Sequence, residues 1–327
     1  MSFINGKGGQ IIDSLYLRAM TSILSIQEVN KFYSSYQALN GVNLEVKKGS
    51  VFGLLGPNGA GKTSLIRIIN QITAPDSGVV KFNGQKLHPD HISKIGYLPE
   101  ERGLYKKMKV GEQCVYLAQL KGLSKEEATQ RLNYWFERFN ASDWWNKTIE
   151  DLSKGMAQKV QFISTILHEP ELLILDEPFS GFDPINAALI RDEMLRLKSK
   201  GATIILSTHD MGSVEELCDD IALINKSKVI VDGSVSEVKS RFKQGLFEVA
   251  YRGTAMELGI VLGPHFELVN HISGEECNLA QIKISPQQKL NDLLICLMSK
   301  LEIVSAKEVI PNMNDIFISA VTLAQQS

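Results

Sequence analysis

Two short runs in this chain carry residues that can handle a phosphorylated ligand. Gly56-Pro57-Asn58-Gly59-Ala60-Gly61-Lys62-Thr63 fits the pattern G-x-x-x-x-G-K-[ST], whose glycines let successive backbone N–H groups point inward at phosphate oxygens. A helix that follows adds the positive end of its dipole to the same site. Lys62 is then placed to reach the β- and γ-phosphates, and the Thr63 hydroxyl to ligate Mg²⁺. The second run is Leu172 to Leu175 followed by Asp176-Glu177-Pro178, a strand-like segment that ends in two acids. A carboxylate there can hold Mg²⁺ through its water shell, which suits Asp176. Glu177, one residue on, can polarise a water attacking the γ-phosphate. The plain alternatives are a chance match in a loop and a pair of solvated acids at a strand end; the flanking elements decide between them.

Those elements are legible. Val51 to Leu55 (VFGLL) is a short apolar run of the buried-strand kind, and Ser64 to Ile72 has helical spacing, so the glycine loop sits between strand and helix. Strand patterns occupy Ile23 to Val29, Val42 to Val46 and Gly78 to Phe82, the last turning at Asn83-Gly84. The stretch 101–161 holds all three tryptophans and reads as helices, one opening with a capping box at Ser124 and Glu127. Asp183-Pro184 is an N-cap and first-turn pair for a helix running to about Lys200 and stopped by Gly201. Thr203 to Thr208 is a further buried strand. Strands alternating with helices imply a parallel sheet. After about Ser240 the texture changes to a small α+β domain, with strands at Leu246 to Tyr251 and Leu279 to Ile284 and a helix over Lys289 to Met298.

Composition narrows the class. The chain has 327 residues, 44% hydrophobic and 22% charged, enough for one large domain and a smaller one. A formal net charge of -2 speaks against a general nucleic-acid binder. Cys114, Cys218, Cys277 and Cys296 form no CxxC pair, so a metal cluster or disulfide framework is not indicated. No apolar run reaches the ~18 residues that span a bilayer. Residues 1–22 are polar and Gly-rich and read as an N-terminal extension, with Met20 a second candidate start.

The order of motifs gives a resemblance. Gly56 to Thr63, LSKGM at Leu152 to Met156, LILDEP at Leu173 to Pro178, SGFD at Ser180 to Asp183 and STH at Ser207 to His209 occur as in the ATPase cassette of ABC transporters. The similarity covers roughly Ile23 to Ser240. It implies an α/β P-loop NTPase core with an antiparallel β subdomain and a helical subdomain (about 101–161), followed by a small α+β C-terminal domain over 241–327. It implies an ATPase coupled to transmembrane transport, with ATP and Mg²⁺ bound by Gly56, Pro57, Asn58, Gly59, Ala60, Gly61, Lys62, Thr63 and Ser64. Thr63 and Asp176 would be metal ligands, and Glu177, His209 and Lys62 catalytic, with His209 on the γ-phosphate and positioning the attacking water.

LSKGM resembles the LSGGQ signature; Ser153 and Gly155 match, Lys154 and Met156 depart, and Gln158 and Lys159 match the usual run after it. In the family this serine and glycine bind the γ-phosphate held by an opposite cassette, so the resemblance implies pairing with a second copy or a paralogous ATPase. Ser153 alone reads equally as an ordinary N-cap. Asp183 matches the aspartate that links the two sites, and is also a plausible N-cap. Tyr33 aligns with the aromatic that stacks on adenine, with Phe32 and Tyr36 as rivals. Glu100, in IGYLPE, stands where many relatives have glutamine; a carboxylate oxygen can still approach Mg²⁺, without an amide donor. Separate integral-membrane permease subunits are the implied partners, at the cytoplasmic face of the membrane, and similarity to drug- and sodium-export cassettes implies export.

Overall fold

The computed structural model describes residues 22–101 and 103–326. The extension expected over 1–22 thus lies outside the described residues except for Ser22, which opens β1 (Ser22–Tyr33). β1 pairs antiparallel with β2 (Tyr36–Lys47), from Ser22 opposite Lys47 to Tyr33 opposite Tyr36. In β2, buried Val42, Leu44 and Val46 alternate with exposed residues, the period of a half-buried strand. β3 (Val51–Leu55) and α1 (Lys62–Ile69) bracket the glycine loop, and β4 (Ser77–Phe82) turns through Asn83-Gly84 into β5 (Gln85–Lys86). The order β2-β1-β4-β5 makes one four-stranded antiparallel sheet.

β6 (Ile95–Leu98) is followed by α2 (Val110–Leu120), α3 (Lys125–Arg138) and α4 (Lys154–Ile166). The capping box at the start of α3 is closed: Glu127 N–H donates to Ser124 Oγ at 3.1 Å and Ser124 N–H to Glu127 Oε2 at 3.1 Å. Then come β7 (Leu172–Asp176), α5 (Pro184–Ser199), β8 (Thr203–Ser207), α6 (Met211–Leu217), β9 (Asp220–Asn225), β10 (Lys228–Ser234) and α7 (Val235–Arg241). The sheet order is β10-β9-β3-β8-β7-β6, parallel from β6 to β9, with β10 antiparallel at its edge. Every residue of β3, β7, β8 and β9 is buried. A strand covered on both faces has no wet side, which is why VFGLL, LLILD and TIILS are unbroken apolar runs.

The chain divides into two compact units, a first that ends at Val235 and also takes in the chain from Ala320, and a second, Ser236–Ser319. Sequence texture put the change at about 240; α7 is helical across that position, so composition lags the division by about five residues. The reading of 241–327 as one domain did not anticipate the grouping of the last residues. A single helix, α10 (Met313–Gln326), runs across that division, and helical periodicity does not say which body a helix joins.

The second unit follows the order β-α-β-β-α-β: β11 (Leu246–Arg252), α8 (Ala255–Val261), β12 (Phe266–Ile272), β13 (Asn278–Ile284), α9 (Leu290–Met298) and β14 (Glu302–Glu308). Its antiparallel sheet runs β12-β13-β11-β14. Phe247, Val249 and Ile282 of the sheet pack with Leu258 of α8 and Leu293 and Leu297 of α9.

Candidate active site

β3 delivers the chain into the glycine loop at the C-terminal edge of the parallel sheet, where β7 and β8 also end. Gly56 has φ +149, and a Cβ there would stand 2.2 Å from the Ile224 carbonyl oxygen. Gly61 has φ +120, and its Cβ would meet the Ala38 carbonyl at 2.4 Å. Both positions therefore exclude a side chain twice over, by backbone angle and by space. α1 begins at Lys62 with no side-chain cap, so its first N–H groups point out of the helix end without an internal acceptor. That is an anion site. Of the loop residues, Asn58, Gly59 and Thr63 are exposed and Pro57 and Ser64 half-buried, while Gly56, Ala60 and Gly61 are buried.

Lys62 is buried and turned back over the loop, its Nζ donating to Gly56 O at 2.6 Å and Pro57 O at 3.2 Å. Burial holds its ammonium below the ordinary lysine range, with Glu177, Asp176 and Glu100 pulling the other way. Three carboxylates thus sense the same lysine. Asp176 ends β7, buried, opposite Ser207 of β8. Desolvation pushes its carboxyl above the usual range; Glu100 and Glu177 add to that, and Lys62 opposes it.

Glu177 takes φ 49, the left-handed region that non-glycine residues seldom adopt. Such a conformation costs on the order of 1–3 kcal/mol and persists where its surroundings enforce it. Here the Glu177 N–H donates to Ser207 O at 2.8 Å, and its carbonyl accepts from Ser180 N–H at 3.1 Å. The side chain is thereby turned toward β8. Its Oε1 lies 2.7 Å from His209 Nδ1, and its Oε2 accepts from Thr208 Oγ1 at 3.2 Å. The sequence put Glu177 on the attacking water and His209 on both the γ-phosphate and that water; the structure joins the two residues directly. His209 keeps 74% of its side chain exposed, so its other ring nitrogen faces outward from the sheet edge.

No group of three His, Cys, Asp or Glu residues able to hold a metal occurs among the described residues. Mg²⁺ does not require one. It is commonly held by one or two protein oxygens, with phosphate and water completing the shell. The Thr63 hydroxyl at the loop's end and the Asp176 carboxylate are hard oxygen donors of that kind.

Against known families, residues 39–180 match the model described as ABC transporter, and residues 233–321 that of the ATP-binding protein DrrA1-3-like C-terminal domain. The uncharacterized ABC transporter ATP-binding protein YhaQ of Bacillus subtilis (strain 168) is 49% identical over 220 residues, covering 67% of this chain and 74% of that protein. The chain belongs to the ABC transporter ATP-binding proteins. It is accordingly an ATP-binding subunit and an ATPase, and its α/β core is a P-loop NTPase fold. The daunorubicin resistance ATP-binding protein DrrA3 of Streptomyces coeruleorubidus is 30% identical over 232 residues, 70% of this chain and 73% of the relative. A solved ATP-binding subunit of an ABC transporter superposes with TM-score 0.64 at 31% identity, covering 68% of this chain and 93% of that one.

The remaining cassette residues lie on two neighbouring segments. Ser153 caps α4, its Oγ accepting from Met156 N–H at 3.3 Å. Lys154, which departs from the signature, lies over Gly181, where a Cβ would meet its ammonium at 2.5 Å. A Cβ on Gly155 would approach Asn186 at 3.8 Å. Asp183 caps α5, accepting from Ile185 and Asn186 N–H at 3.0 Å each, and those bonds hold its carboxyl below the usual range. The ends of α4 and of the loop after Glu177 are therefore built as one surface.

Among the described residues no hydrogen bond joins Ser153 or Gly155 to the glycine loop. Glu100 is exposed after β6 and is felt electrostatically by Lys62 and Asp176. Tyr33 is exposed at the β1–β2 turn with Lys31 Nζ 5.5 Å from its ring centroid. Its rival Tyr36 donates its hydroxyl to Gly59 O at 2.8 Å, a tie to the phosphate loop that motif reading missed. Thr208 and Gln158 were also left without roles.

Proposed function

We propose that this ATPase exports its cargo through separately encoded permease subunits at the cytoplasmic face of a membrane, two copies closing face to face around ATP. The observation that carries pairing is the start of α4. Ser153 and Gly155 present a helix N-terminus, an anion-seeking end, and no hydrogen bond joins them to the chain's own phosphate loop. A second copy supplies the phosphate. Lys62 and the N–H groups from Gly56 to Ser64 take the phosphates, Thr63 and Asp176 take Mg²⁺, and Glu100 stands nearby as a further oxygen ligand. Tyr33 stacks on adenine, with Tyr36 steadying the loop below it.

Bound Mg²⁺ supplies charge neutralisation at the phosphates. The chain's own residues do the rest. Glu177 accepts a proton from water, and His209, held by Glu177 at Nδ1, is aimed outward at the γ-phosphate by its other nitrogen. Asp183 fixes the end of α5 beside the signature. Residues 23–240 form the cassette in this reading and 241–327 an accessory domain. The resemblance of 233–321 to the DrrA1-3-like domain, and a relative named for daunorubicin resistance, support export.

Glu177→Gln tests the reading. With ATP and Mg²⁺ it accumulates as a dimer by light scattering, while turnover falls at least 100-fold, the loss of a general base. Near-normal turnover, or a variant that stays monomeric with ATP bound, would remove Glu177 or pairing from the scheme.

A further inference from the structure

Where β7 and β8 begin, at the end of the sheet away from the glycine loop, the first unit holds a cavity of about 840 Å³. That volume suits a small organic molecule. Leu173 of β7, Leu197 of α5 and Ala202 ahead of β8 give it an apolar wall. The polar wall is fastened from behind. Glu193 of α5 is 1% exposed and takes two guanidinium groups, Arg138 Nε donating to Oε2 at 2.5 Å and Arg196 Nε to Oε1. The Arg196 guanidinium also lies over the Trp135 ring, its Cζ 5.1 Å from the centroid. A planar fork held at one edge by a buried carboxylate and on one face by an indole has little freedom left. Arg196 is part of the cavity wall, and its two outer nitrogens bond no group among the described residues. Trp135 shares that wall; it is only 5% exposed, yet its indole N–H has no partner among the described residues and stays open to solvent. Tyr134 Oη and Lys200 Nζ, on the same cavity, are likewise without a partner among the described residues.

The acids of the lining are already answered. Glu169 pairs with Arg131 at 3.2 Å, and Glu171 with Lys94 at 3.0 Å and the Asn83 amide at 2.7 Å. The carbonyls that end α5 accept from the N–H groups of Lys200, Gly201 and Ala202. The charge left unanswered at the cavity is therefore positive. We propose that this cavity binds a small organic anion, an apolar ring system bearing a carboxylate or a phosphate. The anionic head takes the outer nitrogens of Arg196 and Lys200 Nζ, four residues on and just past the end of α5. A guanidinium fork meets either head group with two parallel hydrogen bonds. The Trp135 N–H and the Tyr134 hydroxyl donate from α3. The ring system lies against Leu173, Leu197 and Ala202, where it replaces water on apolar surface. Nothing in this arrangement draws on Lys62, Asp176 or Glu177, so the site stands apart from nucleotide binding.

Isothermal titration calorimetry of the full-length chain tests this, with saturating ADP and Mg²⁺ present so that the phosphate loop is filled. The probes are 1-naphthoate, 1-naphthyl phosphate and the neutral 1-naphthamide. At least one anion binds to a single site with Kd below about 1 mM, the range for a ligand of that size. The tighter of the two names the head group, and the amide binds at least about 10-fold more weakly. Lys200→Glu, at an exposed position, weakens the anion about 10-fold by reversing one charge at its head. Arg196→Lys keeps a charge for Glu193 but loses the fork, and also weakens it about 10-fold. No anion binding below 1 mM, an amide that binds as well, or full affinity in either variant would overturn the proposal. Binding seen only when ADP is left out would put the anion on the phosphate loop and overturn it too. Should Arg196→Lys fail to fold, Lys200→Glu decides alone.

Discussion

Asp176 ends a strand whose five residues are all buried, and its carboxylate is held there against desolvation, with Glu100 and Glu177 adding repulsion and Lys62 relieving part of it. Its carboxyl is raised from the ordinary 3.8 in the folded protein, so the folded state binds its proton more tightly than the unfolded chain. The charged form therefore destabilises the fold at every pH above the folded pKa. That destabilisation shrinks as pH falls through the folded value and is gone below the ordinary one. Asp176→Asn, without nucleotide, should melt higher than wild type at pH 7.5. A gain on the order of 1 kcal/mol is about 2–4 °C for a domain of this size. Scanning calorimetry at pH 7.5 and again near pH 4 checks both sign and window; an equal gain at the two pH values would refute the electrostatic cause. Turnover should be lost in the same variant, the usual trade of stability for a functional charge.

Behind the catalytic edge, β6 is fastened at its start by two buried nitrogens. Lys121, at the end of α2, donates to Ile92 O at 2.7 Å and Ile95 O at 2.8 Å, and His168, just beyond α4, has Nε2 3.3 Å from Ile95 O. Burial pushes the His168 imidazole down to about 4, helped by the charges of Lys121 and Arg131. The folded state thus holds it neutral; stability is unaffected above about pH 6.5 and is lost as pH falls toward 4, by about 2 kcal/mol at pH 5. His168→Leu should lose less urea stability between pH 7.5 and 5 than wild type does, and an identical loss would rule His168 out. None of this was visible in the sequence, because the partners lie far apart along the chain. The strands and helix that frame the glycine loop, by contrast, were legible, since burial on both faces leaves an apolar run and caps leave Ser124 and Asp183. β12 and β14 escaped notice because they are mostly exposed and lack alternation. Glu177 was read from the acids that end the Leu172–Leu175 strand and His209 from motif order; their direct contact depends on a left-handed residue that no pattern announces.

At the scale of the whole molecule, the question is how ATP turnover in a chain with no described helix long and apolar enough to cross a membrane moves a cargo across one. In the proposed reading the cassette supplies a cycle of closing and opening, and such a cycle has no direction until it is attached to a permease. The direction is written in which side of the membrane the cargo leaves from. If the cassette sits at the cytoplasmic face as proposed, membrane vesicles turned inside out expose it, so added ATP and Mg²⁺ reach it without crossing the bilayer. For an exporter the vesicle lumen is the outside of the cell. Vesicles carrying this chain with its permease should therefore accumulate one member of a panel of amphipathic drugs and Na⁺, severalfold above an ADP control. Glu177→Gln vesicles should show no accumulation, since closure without hydrolysis completes no cycle. Right-side-out vesicles given external ATP should be inert. Release of a preloaded cargo from the inverted vesicles on ATP addition would mean import, and would overturn the direction while leaving the ATPase site as described.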